Sequence, residues 1–527
     1  MTGDVEQTEV LVVGGGLVGL SAALLLAWQG VPVTLVERHA GSSPHPRAIG
    51  YTERTLELMR AVGLAEHIPQ DPSSFQLRRA RIESLAGTWF EESSWNPHEA
   101  DAEAEVPQYS PVGPAAIAQD RLEPLLRQRA VELGADVRLR TELLGFEQDS
   151  GGVTTTLRCR DNGSDYSLRA SYLIAADGAA SAIREQVGIT RRGRGHMKTV
   201  RSVLFAAPLE HYLASGVMQF EIDQPELQAF LTTYNDGRWV LMFTDDIERT
   251  DDQLHRAVTS AIGRSDIPID IITTGLWDLG ASVNDSFRCG RIFFAGDSAH
   301  ALPPTRGGYG ANTGIHDVHN LAWKIAAVLS GQSAPELLDT YDTERRPVAW
   351  ARHQQIFARP DYQADAGGRV VIDPIVDDVA MELGQIYRSA AIMGAPADLP
   401  DALRPDQWAG QPGTRAPHLW LRQGQQRISS LDLLQRKWVL LTESDAWTDA
   451  VAEARTATGI TMEMVVVGRD VAPENPEEFR SLYGLSAKGA CVIRPDGIVA
   501  WRSATGPPQD GAFCRAVAQI SCSTQHP

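Results

Sequence analysis

Gly14-x-Gly16-x-x-Gly19 stands between a strand-like run, EVLVV, and an apolar helical run, LVGLSAALLLAWQG, with a second strand-like run, PVTLVER, behind them. This spacing is suited to holding a pyrophosphate. Gly14 permits a tight turn, Gly16 lets the backbone approach the phosphates, and Gly19 lets helix and strand pack closely. The helix that opens with Leu17 and Val18 offers free N–H groups and the positive end of its dipole to an anion. Glu37 ends the second strand and is placed to accept hydrogen bonds from ribose hydroxyls; Arg38 after it either reaches the adenosine or faces water. In its βαβ context the motif predicts a bound dinucleotide but does not distinguish one dinucleotide from another.

Two further segments narrow the choice. YLIAADGAASAIREQVGI sets Asp177-Gly178 between a buried strand and a helix carrying Ser181 and Arg184. RIFFAGDSAHALPPTRGGYGANTGIHDVHNLAWKIAAVL sets Gly296-Asp297 at the end of another strand, ahead of a Pro/Gly-rich loop and a long helix expected to begin near Thr313. With these three motifs in order, the chain resembles the flavoprotein aromatic hydroxylases built like para-hydroxybenzoate hydroxylase. It resembles more closely the branch that tailors aromatic polyketides in actinomycetes.

The resemblance implies a bound FAD and a transient NADPH or NADH. It gives Glu37 the adenosine ribose, Leu143 a backbone contact to the adenine, Arg47 a place beside the pyrophosphate and the flavin, and Gln119 a contact to the ribityl-pyrophosphate portion. Asp177 would organise the pyrophosphate region, and Asp297, after Gly296, would bind the ribityl chain. Pro304 would lie against the flavin face where O2 reacts, which makes Arg47 and Pro304 the catalytic candidates. The backbone N–H groups of Ala311 and Asn312 would meet the N1–C2=O edge, where a helix N-terminus stabilises the negative charge of reduced flavin. Reduced flavin would then form a C4a-hydroperoxide that oxygenates an electron-rich ring, the cofactor carrying the hard chemistry. A second GxGxxG is not visible, which fits hydroxylases in which NAD(P)H binds transiently and the flavin swings to meet it. Gly307, Gly308 and Gly310 would permit that movement. Arg306 and Tyr309 stand where the family commonly has smaller or amide residues; Arg306 would bind substrate or NADPH phosphate, or simply be solvated.

The elements that must position these residues read as α/β: a Rossmann-type FAD-binding domain, an inserted β-sheet substrate domain and a C-terminal thioredoxin-like domain. Residues 1–75, 116–195 and 289–400 are assigned to the first, 76–115 and 196–288 to the second, and 401–527 to the third. Period-two patterning marks the substrate sheet, where Phe220, Trp239 and Phe243 are weak candidates for the pocket. A helical segment is expected from Tyr51 to about His67, loop in HEADAEAEV, and a core Trp323 with a surface Lys324 on the long helix. Past Pro412 the order is β-α-β-α-β-β-α with no CxxC, so dithiol chemistry is not expected. The balance of 48 Lys+Arg against 67 Asp+Glu, a net −19, repels nucleic acid and anionic membrane. Five scattered cysteines show no zinc spacing and suit a reducing cytosol. His45, His300 and His316 form no metal pattern, and no metal is expected. The sequence predicts a cytoplasmic monomer or homodimer, and the resemblance implies that it hydroxylates a small aromatic, polycyclic substrate with O2. Baeyer–Villiger or ring-cleaving oxygenation, and a non-oxygenating FAD protein that shelters an unstable intermediate, are the alternatives.

Overall fold

Val10–Val13 are buried without interruption, as a parallel strand covered on both faces requires. In the computed structural model, which describes residues 5–70, 78–94, 108–304, 309–359 and 374–525, this strand (Glu6–Val13) lies inside an eight-stranded sheet. Val33–Glu37 and Asp165–Ala175 flank it in parallel, with Asp136–Leu139 and Ile292–Phe294 outside them. Val13 is level with Val36 and Ala175, and Ala175 with Phe294. Segments far apart in sequence thus bring their carboxyl ends to one edge, where open α/β sheets bind ligands. The Leu17–Trp28 helix, apolar nearly all round, packs against the Gln119–Glu132 and Tyr309–Leu329 helices. That pattern is the one a fully buried helix needs.

A second eight-stranded sheet contains Arg191–Ala206, Val217–Gln224, Leu227–Thr233, Arg238–Phe243 and Asp270–Asn284. One of its faces is covered by a helix, Asp251–Ile262, that the strand-rich reading of this region did not include. Its signal is nonetheless in the sequence. The Thr250 side chain accepts from Gln253 N–H while the Gln253 side chain accepts from Thr250 N–H, a capping box, and Gly263 (φ 78°) ends the helix. Phe220, Trp239 and Phe243 are at most 2% exposed and pack with Leu254, Val258 and Ile262 beneath this helix. They belong to the core on the far side of the sheet and do not line a pocket. Alternation identified a half-buried sheet but carried no information about which face met the helix.

Three other expectations change. The long helix begins at Tyr309 rather than near Thr313. The Tyr51–His67 segment divides into a helix, Glu53–Ala61, and a short turn, Ala65–His67, separated at Gly63 (φ 81°). Lys324 is fully buried rather than on the surface. HEADAEAEV lies outside the described residues.

The C-terminal sheet has Trp438–Thr442 at its centre, parallel to Met462–Val466 and antiparallel to Ala490–Ile493, which pairs in turn with Val499–Ser503. With helices Thr448–Thr458, Pro476–Tyr483 and Ala512–Ser521, the main sheet follows the expected order, but a small sheet of Trp420–Gln423, Gln426–Ser429 and Ala472–Pro473 is added that the expected order did not include. Burial pushes the Cys491 thiol up to about 12, so it is an inert core residue. This unit docks on the long helix, where Trp323 meets Trp438 edge-on at 5.7 Å. Beside that contact Glu344 accepts from Lys324 Nζ (2.9 Å) and from Arg494 Nη1 and Nη2 (2.6 and 2.9 Å). Among the described residues no helix is long and apolar enough to cross a membrane.

Histidines buried at this junction give the fold a pH dependence. Burial lowers His319 to about 3 and, at another position, His418 to about 4. The unfolded chain takes up these protons near pH 6.5 and the folded chain does not, so stability is complete above about pH 6.5 and falls with decreasing pH by about 1.4 kcal/mol per unit for each group. His319→Asn is expected to flatten the slope of unfolding free energy between about pH 6 and pH 4 by about one proton; an unchanged slope would show that His319 titrates normally in the fold.

Candidate active site

At the carboxyl edge of the parallel sheet the three motif turns touch one another. Gly14 has φ 110°, and a Cβ there would lie 2.3 Å from the Ala176 carbonyl oxygen, next to Asp177. A Cβ on Gly19 would lie 1.8 Å from the Gly14 carbonyl oxygen. Gly296 (φ 59°) sits against Val18, 2.7 Å from Val18 Cγ2 to a Cβ placed on it. Neither turn has room for a larger residue. Leu17 is buried behind the loop, and no side chain caps the helix at Gly16, so its first N–H groups are left for a ligand.

Glu37 accepts from Gly15 N–H at 2.6 Å and His39 N–H at 2.8 Å, which fastens the glycine loop to the ribose end of the site. Arg38 is exposed. Leu143 is half-buried in Thr141–Gln148, close to that end because Arg140 N–H donates to the His39 carbonyl at 3.0 Å. Asp177 accepts from Ile183 N–H at 3.4 Å through Oδ2, while its Oδ1 is buried with no hydrogen-bond partner among the described residues. Burial raises its pKa. An orphaned carboxylate oxygen beside an uncapped helix end and a side-chain-free turn fits a dinucleotide that brings its own donors.

Gln119 Oε1 accepts from the N–H groups of Arg47 (3.3 Å) and Ala48 (3.2 Å), so the start of the Gln119–Glu132 helix holds the Arg47 loop, and the Arg47 side chain is exposed. The Asp297 carboxylate and Pro304 are exposed at the same edge, and Gly310 and Ala311 are half-buried in the first turn of the long helix. Asn312 is fully buried, its Oδ1 accepting from Thr52 N–H (3.1 Å) and Thr55 Oγ1 (2.6 Å). That side chain braces the helix, which leaves the backbone N–H groups as the part able to face a flavin. Arg306, Gly307 and Gly308 lie outside the described residues.

Sequence reasoning missed two residues. Asp317 is fully buried; its Oδ2 accepts from Gly296 N–H (3.2 Å) and His300 Nε2 (2.7 Å), and its Oδ1 from Arg345 Nε (2.8 Å). It ties the Gly296-Asp297 turn to the long helix, and His300 is held in this structural pair. The available signal was an ionisable residue on an otherwise buried helical stripe. Arg191 donates to the carbonyls of Ala179 (2.9 Å), Asp297 (2.9 Å) and Ser298 (3.1 Å), bridging the second and third motifs. Burial lowers its pKa to about 10. A small cleft behind the long helix, lined by His316, His319, Glu382 and Arg415, has a volume of about 30 Å³, room for about one water.

Asp297→Ala should leave the fold intact, because the carboxylate is exposed. It should weaken FAD binding about tenfold or more through loss of a hydrogen bond to a charged acceptor. Titration of the apoprotein by flavin fluorescence checks this, and unchanged affinity would remove Asp297 from the ribityl contact.

The FAD binding domain family matches residues 7–355, and the aromatic-ring hydroxylase C-terminal family matches residues 409–521. The chain is 37% identical to tetracenomycin B2 monooxygenase-dioxygenase of Streptomyces olivaceus, over 97% of this chain and 99% of that one. It is 38% identical to 4-methyl-5-nitrocatechol 5-monooxygenase of a Burkholderia species, over 94% of each. Its structure matches the crystal structure of a ternary complex of aklavinone-11 hydroxylase with FAD and aklavinone at a TM-score of 0.86 and 33% identity, covering 99% of this chain and 100% of that one. Three turns shaped for a dinucleotide, inside a chain matched along nearly its whole length, place the protein in the FAD-dependent aromatic-ring hydroxylases, the flavoprotein monooxygenases.

Proposed function

We propose that the protein hydroxylates a polycyclic aromatic substrate of the polyketide class, converting substrate, NAD(P)H, a proton and O2 to hydroxylated product, NAD(P)+ and water. The observation that carries this reading is the likeness, over nearly the full length, to hydroxylases named for tetracenomycin B2 and aklavinone. On the sheet face opposite Phe220 and Trp239, Leu204, Val240 and Met242 pack with Ile49 and Ala118 of the FAD-binding unit, which joins the sheet to that unit close to Arg47.

Bound FAD would supply the redox chemistry between NAD(P)H and O2. Gly14, Gly16 and the uncapped helix behind them receive the pyrophosphate, Glu37 the ribose, and Asp297 the ribityl chain. Arg47 would neutralise phosphate charge beside the flavin, the backbone N–H groups of Ala311 and Asn312 would stabilise negative charge on it, and Pro304 would border it. The flavin's own segments are residues 1–75, 116–195 and 289–400, with the substrate sheet inserted between them. The five free thiols support a reducing, cytoplasmic setting.

A second reading, insertion of more than one oxygen atom, is favoured by the monooxygenase-dioxygenase relative. The test is NADPH and NADH oxidation by the purified yellow protein with and without a panel of anthraquinones, polycyclic phenols and nitrocatechols, with products read by mass. Consumption stimulated by a polycyclic compound, with a product one oxygen heavier, is the expected result. Stimulation by nitrocatechols alone would reassign the substrate to a single ring. Retained FAD with no stimulation by any compound would favour a protein that shelters an intermediate.

A further inference from the structure

The Arg191–Ala206 strand opens with a run of cations. Arg191, Arg192, Arg194 and Lys198 fall in a stretch, RRGRGHMK, that holds no Asp or Glu, in a chain whose net charge is −19. The strand starts at the flavin edge, where Arg191 holds the Asp297 and Ser298 carbonyls. Surface arginines elsewhere are paired with carboxylates, as Arg158 is with Asp165 at 2.7 Å. Arg192 is exposed, and neither it nor Lys198 makes an ion pair among the described residues. Arg192 is held by a ring instead. Its Cζ lies 4.1 Å from the centroid of Trp350, and Arg194 Cζ lies 4.0 Å from that of Phe357. Both rings stand on the Asp339–Ala358 helix. His353 fills the gap between them, stacked on Trp350 at 4.9 Å and 5.1 Å from Phe357. It is buried, and burial lowers its pKa, with Arg194 and Arg192 acting in the same direction.

A guanidinium laid flat on an aromatic ring keeps its edge free, and that edge carries the fork of N–H donors that matches a phosphate. The ring also fixes the side chain beforehand, so little rotamer freedom is lost when an anion arrives. Gly195 (φ 72°) has nothing within 4 Å of an added Cβ, so the surface beside the two stacked arginines is open. Arg191 and Arg192 point to opposite faces of the strand, and a nucleotide reaching from one to the other lies across its start. The anion that must be admitted to the flavin edge and released in every turnover is the nicotinamide nucleotide. NADPH and NADH differ only in the 2′-phosphate. Exposed cations hold such a group in a weak, salt-dependent way, which suits a reductant that has to leave. We propose that Arg192, pinned on Trp350, takes the 2′-phosphate of NADPH, with Arg194 and Lys198 adding positive potential, and so makes the protein prefer NADPH to NADH. This rests on the hydroxylase reading and goes beyond it, since either nucleotide would serve that chemistry. Trp350 is a positioning residue, in contact with the arginine and not with the nucleotide.

The experiment uses the holoenzyme. Flavin reduction is followed anaerobically by stopped flow over a range of NADPH or NADH concentrations, which separates the dissociation constant of each nucleotide from its limiting rate. The native protein should bind NADPH at least about tenfold more tightly than NADH, and added salt should erode that ratio. Arg192→Ala should weaken NADPH about tenfold, the loss of one charge-assisted contact. The NADH constant and both limiting rates should move by less than about twofold, as should the FAD content. Arg192→Lys, which keeps the charge but not the fork, should recover part of the loss. Trp350→Leu should weaken NADPH by a smaller factor, and in the Arg192→Ala background it should weaken it no further, since both changes act through one group. Adenosine 2′,5′-bisphosphate should compete better than 5′-AMP against the native protein and lose that advantage in Arg192→Ala. A native protein that binds both nucleotides alike, or an Arg192→Ala protein that loses both alike or neither, would overturn the assignment while leaving the hydroxylase reading intact. A holoenzyme that neither nucleotide reduces would overturn both.

Discussion

A Gly14→Val protein is expected to purify colourless, with an affinity for FAD reduced at least about a hundredfold. A β-branched residue at φ 110° is strained by about 1–3 kcal/mol. Its Cβ would fall 2.3 Å from the Ala176 carbonyl oxygen, so the turn must open where the glycine loop meets the Asp177 segment. Opening it withdraws N–H donors from the pyrophosphate and separates two motifs that are useful only in contact. About 2.7 kcal/mol of lost binding gives the hundredfold figure. Gly30→Ala is the control. Gly30 has φ 79° with nothing within 4 Å of the added atom, so it should cost about 1 kcal/mol of stability and no FAD. Visible absorbance and apoprotein titration separate the two. A yellow Gly14→Val protein holding stoichiometric FAD would contradict the cradle described here.

Glu344→Gln should give the largest loss of stability of any single change considered, about 3–5 kcal/mol. Glu344 is 1% exposed, and its oxygens accept from Lys324, Arg494, Asn320 and Ser389. Its two cationic partners hold the carboxyl far below the usual carboxylate range. Removing the charge leaves a buried Lys324 and Arg494 facing Asp496 alone, two cations to one anion. Glu344→Leu combined with Lys324→Met removes one charge of each sign and should recover most of the loss, because apolar replacements of a buried pair are often near neutral. Urea midpoints of the native protein and the two variants test this, and equal midpoints for the single and double variants would show that charge balance is not what Glu344 supplies. Arg494 and Asp496 come from the C-terminal unit while Lys324 lies on the Tyr309–Leu329 helix. The same change should therefore loosen the C-terminal unit from that helix.

The parts of the site that were legible in the sequence are those whose requirements are local. Gly14, Gly16 and Gly19 are demanded by a turn built within a few residues. The order of the main C-terminal sheet and its helices was readable because each of those elements carries its own periodicity and stop signal, such as Gly459 (φ 70°) after Thr448–Thr458. The short strands Trp420–Gln423, Gln426–Ser429 and Ala472–Pro473 are too brief to show a period. Residues whose roles depend on distant partners were not legible. Lys324 reads as a surface charge until Glu344 and Arg494, 20 and 170 positions on in the chain, are brought against it. Asp317 and Arg191 likewise acquire meaning only when the Gly296-Asp297 turn is folded over them. Phe220, Trp239 and Phe243 show the remaining gap. A period of two gives the faces of a strand, but the choice between core and pocket depends on the Asp251–Ile262 helix covering one of them.

The most direct test of the central claim, that this cradle serves a monooxygenase, is turnover under isotopically heavy O2 with NADPH and a stimulating aromatic substrate. One heavy oxygen atom in the product for each NADPH consumed in coupled turnover is the result the account predicts. A product whose new oxygen comes from water, or NADPH consumption that yields hydrogen peroxide and unaltered substrate with every compound offered, would contradict it.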